Sequence, residues 1–108
     1  MGAIGYVTKQ DNGSFTGNLR TVSIKSGIEI VPNERKVEDD QPDFRVFTDD
    51  RVEVGAGWHR KGKNSGNAYV SLSLAAPEFG PRKLYCNLGM AAGQDDFNLY
   101  ALIWNPLD

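Results

Sequence analysis

Cysteine and histidine are almost absent from this chain, which contains Cys86 and His59 and no others of either type. A single cysteine excludes an intrachain disulfide and is typical of proteins in a reducing compartment, so we expect a cytoplasmic protein. Nucleophilic catalysis needs a nucleophile, a base and an orienting group brought together, and the sequence supplies no such set. A zinc site would need both residues together with carboxylates. We therefore expect a protein that is not an enzyme, with no catalytic residue, no metal and no cofactor.

Long apolar runs are also missing. No stretch of about 18 consecutive apolar residues occurs, so we expect no membrane-spanning helix. The first five residues lack a basic segment followed by an apolar one, so we expect no signal peptide. The formal net charge is −2, which disfavours general binding of polyanions but allows a local basic patch to bind one.

Short alternating segments occupy most of the chain, and no window shows a helical period. Eight of these segments are predicted to be strands: 4–9, 14–25, 28–31, 44–47, 51–61, 69–74, 83–90 and 97–104. The charged stretch 33–43 between the third and fourth is predicted to be a loop. Strands at this spacing, with turn residues between them, predict an all-β fold. We expect residues 1–108 to form a single domain, a small antiparallel β-barrel or sandwich of seven or eight strands, closed or half-open.

The alternation also assigns side chains to faces. Cys86 shares its parity with apolar neighbours and is predicted to be a small core residue. Trp58 shares its parity with Val52 and Val54, which favours a core position, and His59 then faces solvent. The length of segment 14–25 and its Gly17 predict a bulge or a bend that swaps the two faces of the strand. A turn is predicted at residues 26–27.

Charges of opposite sign are concentrated in two places. Residues 38–50 are strongly acidic, and residues 58–63 contain cations but no acid. Cations next to aromatic rings on a curved sheet suit nucleic acid, because the rings stack on bases and the cations bind phosphates. The predicted site uses cations for phosphates and tyrosines for stacking: Arg60, Lys61, Lys63, Tyr69 and Tyr85, with Arg20 and Arg45 as additions if they face outward.

Each charged segment also has a simpler interpretation. The basic hairpin can be a solvated loop with amphipathic rings on its rim. The acidic residues Glu38, Asp39, Asp40 and Asp43 offer oxygen ligands to Ca²⁺, but they lack the spacing of a calcium loop, so a solvated loop is preferred. A second function is also compatible with the sequence, namely a protein-interaction module that binds a basic partner through residues 33–50.

A family resemblance covers nearly the whole chain. It is carried by IG at 4–5, GSFTGNLRT at 13–21, VPNE at 31–34, PDFRV at 42–46, EVGAGW at 53–58, YVSL at 69–72, PEF at 77–79, YCNL at 85–88 and LIW at 102–104. These segments resemble a small bacterial family catalogued as a domain of unknown function, number seven-three-six. The resemblance implies an accessory protein of plasmids and integrated conjugative elements, and it transfers no catalytic residue. Together with the charge pattern it predicts a non-enzymatic binding module that contacts single- or double-stranded nucleic acid.

Overall fold

The computed structural model describes residues 2–62, 66, 68–77, 81–90 and 97–105. It contains eight strands: β1 (Ala3–Lys9), β2 (Phe15–Arg20), β3 (Lys25–Pro32), β4 (Phe44–Thr48), β5 (Glu53–Lys61), β6 (Ala68–Leu74), β7 (Leu84–Met90) and β8 (Leu99–Trp104). The predicted all-β fold is confirmed. Within the described residues, no helix is long and apolar enough to cross a membrane.

The eight strands form a closed barrel in chain order, and β1 pairs with β8 to complete it. Every neighbouring pair is antiparallel, as expected when short connections join consecutive strands. Closure leaves no unpaired sheet edge. We call the end of the barrel where β1, β3, β5 and β7 finish the upper end, and the opposite end the lower end.

Apolar side chains fill the middle of the barrel. Ile30 lies opposite Val46, and Leu72 lies opposite Cys86, and all four are fully buried. The predicted core position of Cys86 is therefore confirmed. Removing these side chains from water supplies the main favourable term in folding. An eight-stranded barrel is just wide enough for its side chains to fill the interior.

A bulge in β5 makes the predicted orientation of Trp58 wrong. Val46 pairs with Gly55 whereas Phe47 pairs with Glu53, so Val54 is an extra residue and the faces of β5 switch there. Beyond the bulge Gly57 faces the core, where an added Cβ would lie 2.7 Å from Leu72 Cδ2. Trp58 consequently points outward. The alternation in the sequence predicted the wrong face, because one extra residue in the strand reverses the face of every residue that follows it.

The segment predicted as 14–25 is two strands joined by a turn. Thr21 and Ile24 close this turn, since the Thr21 N–H donates to the Ile24 carbonyl at 2.8 Å and the Ile24 N–H donates to Thr21 Oγ1 at 3.1 Å. The predicted turn at 26–27 is wrong, because those residues pair with β2 inside the ladder. The predicted bulge or face-swapping bend at Gly17 is also wrong, because β2 stays in register with both neighbouring strands from Phe15 to Leu19. The bulges lie instead at Val54 and at Ile4.

Candidate nucleic-acid interface

The predicted phosphate-binding residues lie near the upper end of β5 and β6. Arg60 is directly opposite Tyr69, and Lys61 is opposite Ala68. Both cations are exposed. Lys63, the third predicted phosphate contact, lies outside the described residues. The β5–β6 ladder thus places Arg60 opposite Tyr69 on one face, and Lys61, the next residue of β5, points to the other face.

Trp58 joins this cluster from the same face of β5. The Arg60 guanidinium lies 5.8 Å from the centroid of the Trp58 ring, a distance at which a cation is attracted to the ring face. On its other side, the Trp58 indole N–H donates to the Asp40 carbonyl at 3.3 Å. The acidic loop 33–43 therefore contacts the basic hairpin through Trp58.

Asp43 holds the acidic loop against β5. Its carboxylate accepts a hydrogen bond from the His59 backbone N–H at 2.9 Å and from Lys36 Nζ at 2.6 Å. The His59 N–H, followed by Lys36, holds the pKa of Asp43 below its ordinary value. The Asp43 N–H in turn donates to the Gly57 carbonyl at 2.8 Å. The acidic and basic segments, which are separate in the sequence, therefore lie side by side at the upper end.

Arg45 faces outward but is already engaged. Its guanidinium donates to both carboxylate oxygens of Glu53, at 2.8 and 3.0 Å, and lies 5.0 Å from the Phe47 ring centroid. Glu53 raises the pKa of Arg45, and Arg45 lowers the pKa of Glu53. A phosphate would have to compete with this bidentate pair.

Tyr85 lies apart from the basic hairpin. It is opposite Ser73, near the end of β6, whereas Tyr69 is near the start of that strand. The four residue steps from 69 to 73 correspond to roughly 13 Å along the strand. The two tyrosines therefore occupy opposite ends of the barrel wall and do not form one stacking surface.

A groove at the lower end contains Tyr85 together with a second aromatic ring and three cations. This lower groove has a volume of ≈ 590 Å³ and lies between the starts of β1 and β7 and the ends of β2 and β8. Its floor includes Ile4, and its other principal lining residues are Arg20, Arg82, Lys83, Tyr85 and Trp104. Among the residues that the structure describes, none that lines this groove carries a carboxylate side chain.

Backbone hydrogen bonds position the two rings. Trp104 is opposite Cys86 in the β7–β8 ladder. The backbone N–H of Trp104 donates to the Gly2 carbonyl at 3.1 Å. The Asn105 N–H donates to the Tyr85 carbonyl at 2.8 Å. These bonds fix the end of β8 between its two neighbouring strands. The Trp104 side chain is 43% exposed, which is enough surface for a planar group to stack on it.

The cations of the lower groove are not neutralised by acidic partners in the described part of the chain. Its ion pairs are Lys36–Asp43, Arg45–Glu53 and Arg51–Glu29. Arg20, Arg82 and Lys83 are exposed and belong to none of them. The Asp49 carboxylate lies over Gly27 and lines a neighbouring cavity together with Arg20 and Lys25, but it is not among the lining residues of the groove. The groove is thus a local positive surface on a weakly acidic protein.

Comparison with known protein families assigns the chain to one of them. Residues 3–107 match the model of a family described as protein of unknown function (DUF736). The chain belongs to the DUF736 family. This confirms the resemblance noted in the sequence, and the family description names no activity. No curated protein and no solved structure matches the chain.

The sequence identified Tyr85 as a candidate in this DUF736 protein but did not show which residues lie near it in the fold. Arg20, Arg82 and Trp104 come from three distant parts of the chain, and the barrel brings them together. Arg82 and Lys83 are visible in the sequence as a cationic pair, but nothing local links them to Trp104. No group of three or more metal-ligating side chains occurs among the residues that the structure describes.

Proposed function

We propose that the protein is a non-enzymatic, cytoplasmic binding module that contacts single-stranded nucleic acid through the lower groove. In this proposal it is an accessory protein of mobile genetic elements. One observation supports this most strongly: three cations and two aromatic rings line a groove whose described lining residues include no carboxylate. Single-strand binding uses this combination, because cations follow the phosphate backbone while rings stack on successive bases.

The lower groove is a better candidate than the basic hairpin on electrostatic grounds. Beside the hairpin, Asp40 contacts Trp58 and Asp43 binds the His59 N–H. A phosphate approaching Arg60 would meet the acidic loop at the same time, and like charges repel. In the groove, Arg82 and Lys83 have no such neighbour among the lining residues.

The shape of the groove favours a single strand over a duplex. Proteins that identify a duplex sequence commonly insert a helix into the major groove, and the described residues present none. Tyr85 and Trp104 can stack only on bases that are already unpaired, because a base inside a duplex is covered on both faces. Single-stranded DNA and RNA both meet this requirement.

The two tryptophans allow the site to be located directly. Trp104 lies in the lower groove and Trp58 lies beside the basic hairpin, and the chain contains no third tryptophan. We expect the Trp58→Phe variant to keep fluorescence quenching by a single-stranded oligonucleotide, and the Trp104→Phe variant to lose it. Quenching that persists in Trp104→Phe and vanishes in Trp58→Phe would move the site to the hairpin.

Two double variants, each replacing two cations by glutamate, test the lower groove against the basic hairpin. Arg82→Glu with Lys83→Glu changes the groove, and Arg60→Glu with Lys61→Glu makes the same change in net charge at the other end of the barrel. Only the first pair should abolish binding. In the unaltered protein, contacts by three cations should give a slope of about −2 for log affinity against log salt, since each phosphate contributes about −0.7 on single strands.

The alternative function is a protein-interaction module that uses the acidic segment 33–50. It becomes the preferred interpretation if no oligonucleotide quenches either tryptophan at about 50 mM salt, a concentration at which nonspecific phosphate contacts are strong. Asp39 and Asp40 are exposed and suitable for neutralisation in a pull-down with a basic partner. Asp43 is not suitable, because its carboxylate holds the loop to β5.

A further inference from the structure

A separate cavity occupies the upper end of the barrel. This upper cup has a volume of ≈ 760 Å³ and lies above the filled middle of the core. Its apolar lining comes from six residues near the ends of five strands: Phe15, Phe44, Val70, Leu88, Met90 and Tyr100. Small-molecule sites in proteins are typically concave, mostly apolar and roughly 300–1,000 Å³ in volume. Eight-stranded barrels are also known to hold one small ligand.

An aromatic wall runs along one side of the cup. The Phe15 ring contacts Tyr100 edge-to-face at 5.3 Å between centroids and contacts Phe44 in the same way at 6.0 Å. Phe44 in turn contacts the His59 ring at 5.1 Å. Each phenylalanine is therefore held by two neighbouring rings. Such a wall is pre-organised for an aromatic ligand, because aromatic pairs prefer these offset and edge-on arrangements.

The polar rim of the cup has a positive balance. Its charged members among the described residues are Lys9, Lys36 and Asp43, and the ring of His59 lies beside them. Lys36 and Asp43 neutralise each other through their 2.6 Å contact. Lys9 ends β1, is exposed, and belongs to no ion pair in the described part of the chain. The rim therefore offers one ammonium group next to an apolar wall.

We infer that the upper cup binds a small aromatic carboxylate. The ring would lie against Phe15, Phe44 and Tyr100, and the carboxylate would accept a hydrogen bond from Lys9. The charge complements the ammonium group, and the planar body complements the aromatic wall. Ile30 and Leu72 are fully buried beneath the cup, so the ligand is limited to the mouth of the barrel.

This site does not depend on the proposed nucleic-acid function. The cup lies at the upper end, and the groove that contains Tyr85 and Trp104 lies at the lower end. Binding of a small molecule in the upper cup is expected to leave the lower groove accessible to nucleic acid, and the reverse. The two proposals can therefore fail separately.

The test uses 2-naphthoate as the probe and the uncharged 2-naphthalenemethanol as its matched control. In amide ¹H–¹⁵N NMR spectra of the full chain, 2-naphthoate should shift the signals of Phe15, Phe44, Leu88 and Tyr100. The alcohol should bind about tenfold more weakly, because it offers no charge to Lys9. Shifts confined to the lower groove, or no shifts at millimolar naphthoate, would overturn the inference.

Two charge reversals complete the test. Lys9→Glu should weaken naphthoate binding by about tenfold or more, whereas Lys25→Glu, the same change at the lower end, should alter it by less than about twofold. Both residues are exposed, so neither substitution disturbs the core. Equal affinities for the two variants would show that the cup does not select an anion through Lys9, and the inference would fail.

Discussion

Arg20 and Lys25 lie directly opposite each other in the β2–β3 ladder. Both side chains are exposed, and like charges at facing positions of a sheet repel each other. Arg20 also lines the lower groove, where the described lining residues include no carboxylate. A phosphate in the groove would relieve the repulsion that the unbound protein carries. The pair thus links the stability of this hairpin to the proposed function.

Replacing Arg20 should therefore weaken nucleic-acid binding without reducing the stability of the fold. We expect Arg20→Ala to leave the free energy of unfolding unchanged or to raise it by about 0.5 kcal/mol, because the repulsion with Lys25 is removed. The same variant should bind single-stranded oligonucleotides more weakly, with a salt slope that is shallower by about 0.7. Urea denaturation and fluorescence titration measure the two effects. Arg20→Lys keeps the charge and is the control, and a loss of stability with no change in binding would contradict the prediction.

Gly17 is expected to tolerate no side chain. It faces the interior between β1 and β3, and an added Cβ would overlap the Tyr6 carbonyl oxygen and lie 2.7 Å from Val7 Cα. Both are backbone atoms and cannot move aside without disturbing the ladder. Gly17→Ala should cost about 1–3 kcal/mol or more in the free energy of unfolding, measured by urea denaturation.

Gly89→Ala is the matched control for Gly17→Ala. A Cβ at Gly89 would meet only the end of the Ile103 side chain, at 3.2 Å, and that side chain can rotate. We expect a much smaller loss of stability than at Gly17. Equal losses for the two variants would show that close approach of the backbone is not the limiting factor.

Asp43 should make the protein sensitive to acid. Its pKa is lowered in the folded state by the His59 N–H and by Lys36, so its contribution to stability is present above the ordinary value of 3.8. That contribution is lost as the pH falls through the lower, folded-state value. Asp43→Asn should reduce stability at neutral pH and flatten the dependence on pH in this acidic range. The measurement is the free energy of unfolding at a series of pH values.

Asp39→Asn is the control for the Asp43 prediction. It removes the same charge from an exposed carboxylate of the same loop. We expect it to leave stability at neutral pH nearly unchanged. If Asp39→Asn and Asp43→Asn have equal effects, loss of charge rather than the contact with His59 is responsible.

Cys86 should be unreactive in the folded barrel. Burial raises the pKa of its thiol to about 12, and only the thiolate is a good nucleophile. At about pH 8, a disulfide reagent such as DTNB should label the native protein slowly and the urea-unfolded protein rapidly. The labelling rate in increasing urea then reports opening of the barrel wall. Rapid labelling of the native protein would show that β7 opens locally without global unfolding.

The predictions from sequence succeeded where one period held along a whole strand. In β6, Val70, Leu72 and Leu74 face the core as their alternation predicts. In β5 the same reasoning put Trp58 on the wrong face, because the extra residue Val54 reverses the parity halfway along the strand. A bulge depends on the register with the neighbouring strand, and that register is not visible within β5 itself.

The sequence by itself determined the all-β fold, the inward face of β6 and the core position of Cys86, since these depend on residue type and on a period of two. Only the tertiary structure decided that β1 closes on β8, that Tyr69 and Tyr85 lie apart, and that Arg20 and Trp104 share a groove. The physical reason is range. Alternation is a local property of an extended chain, whereas closure and the grouping of side chains depend on contacts between strands that are distant in sequence.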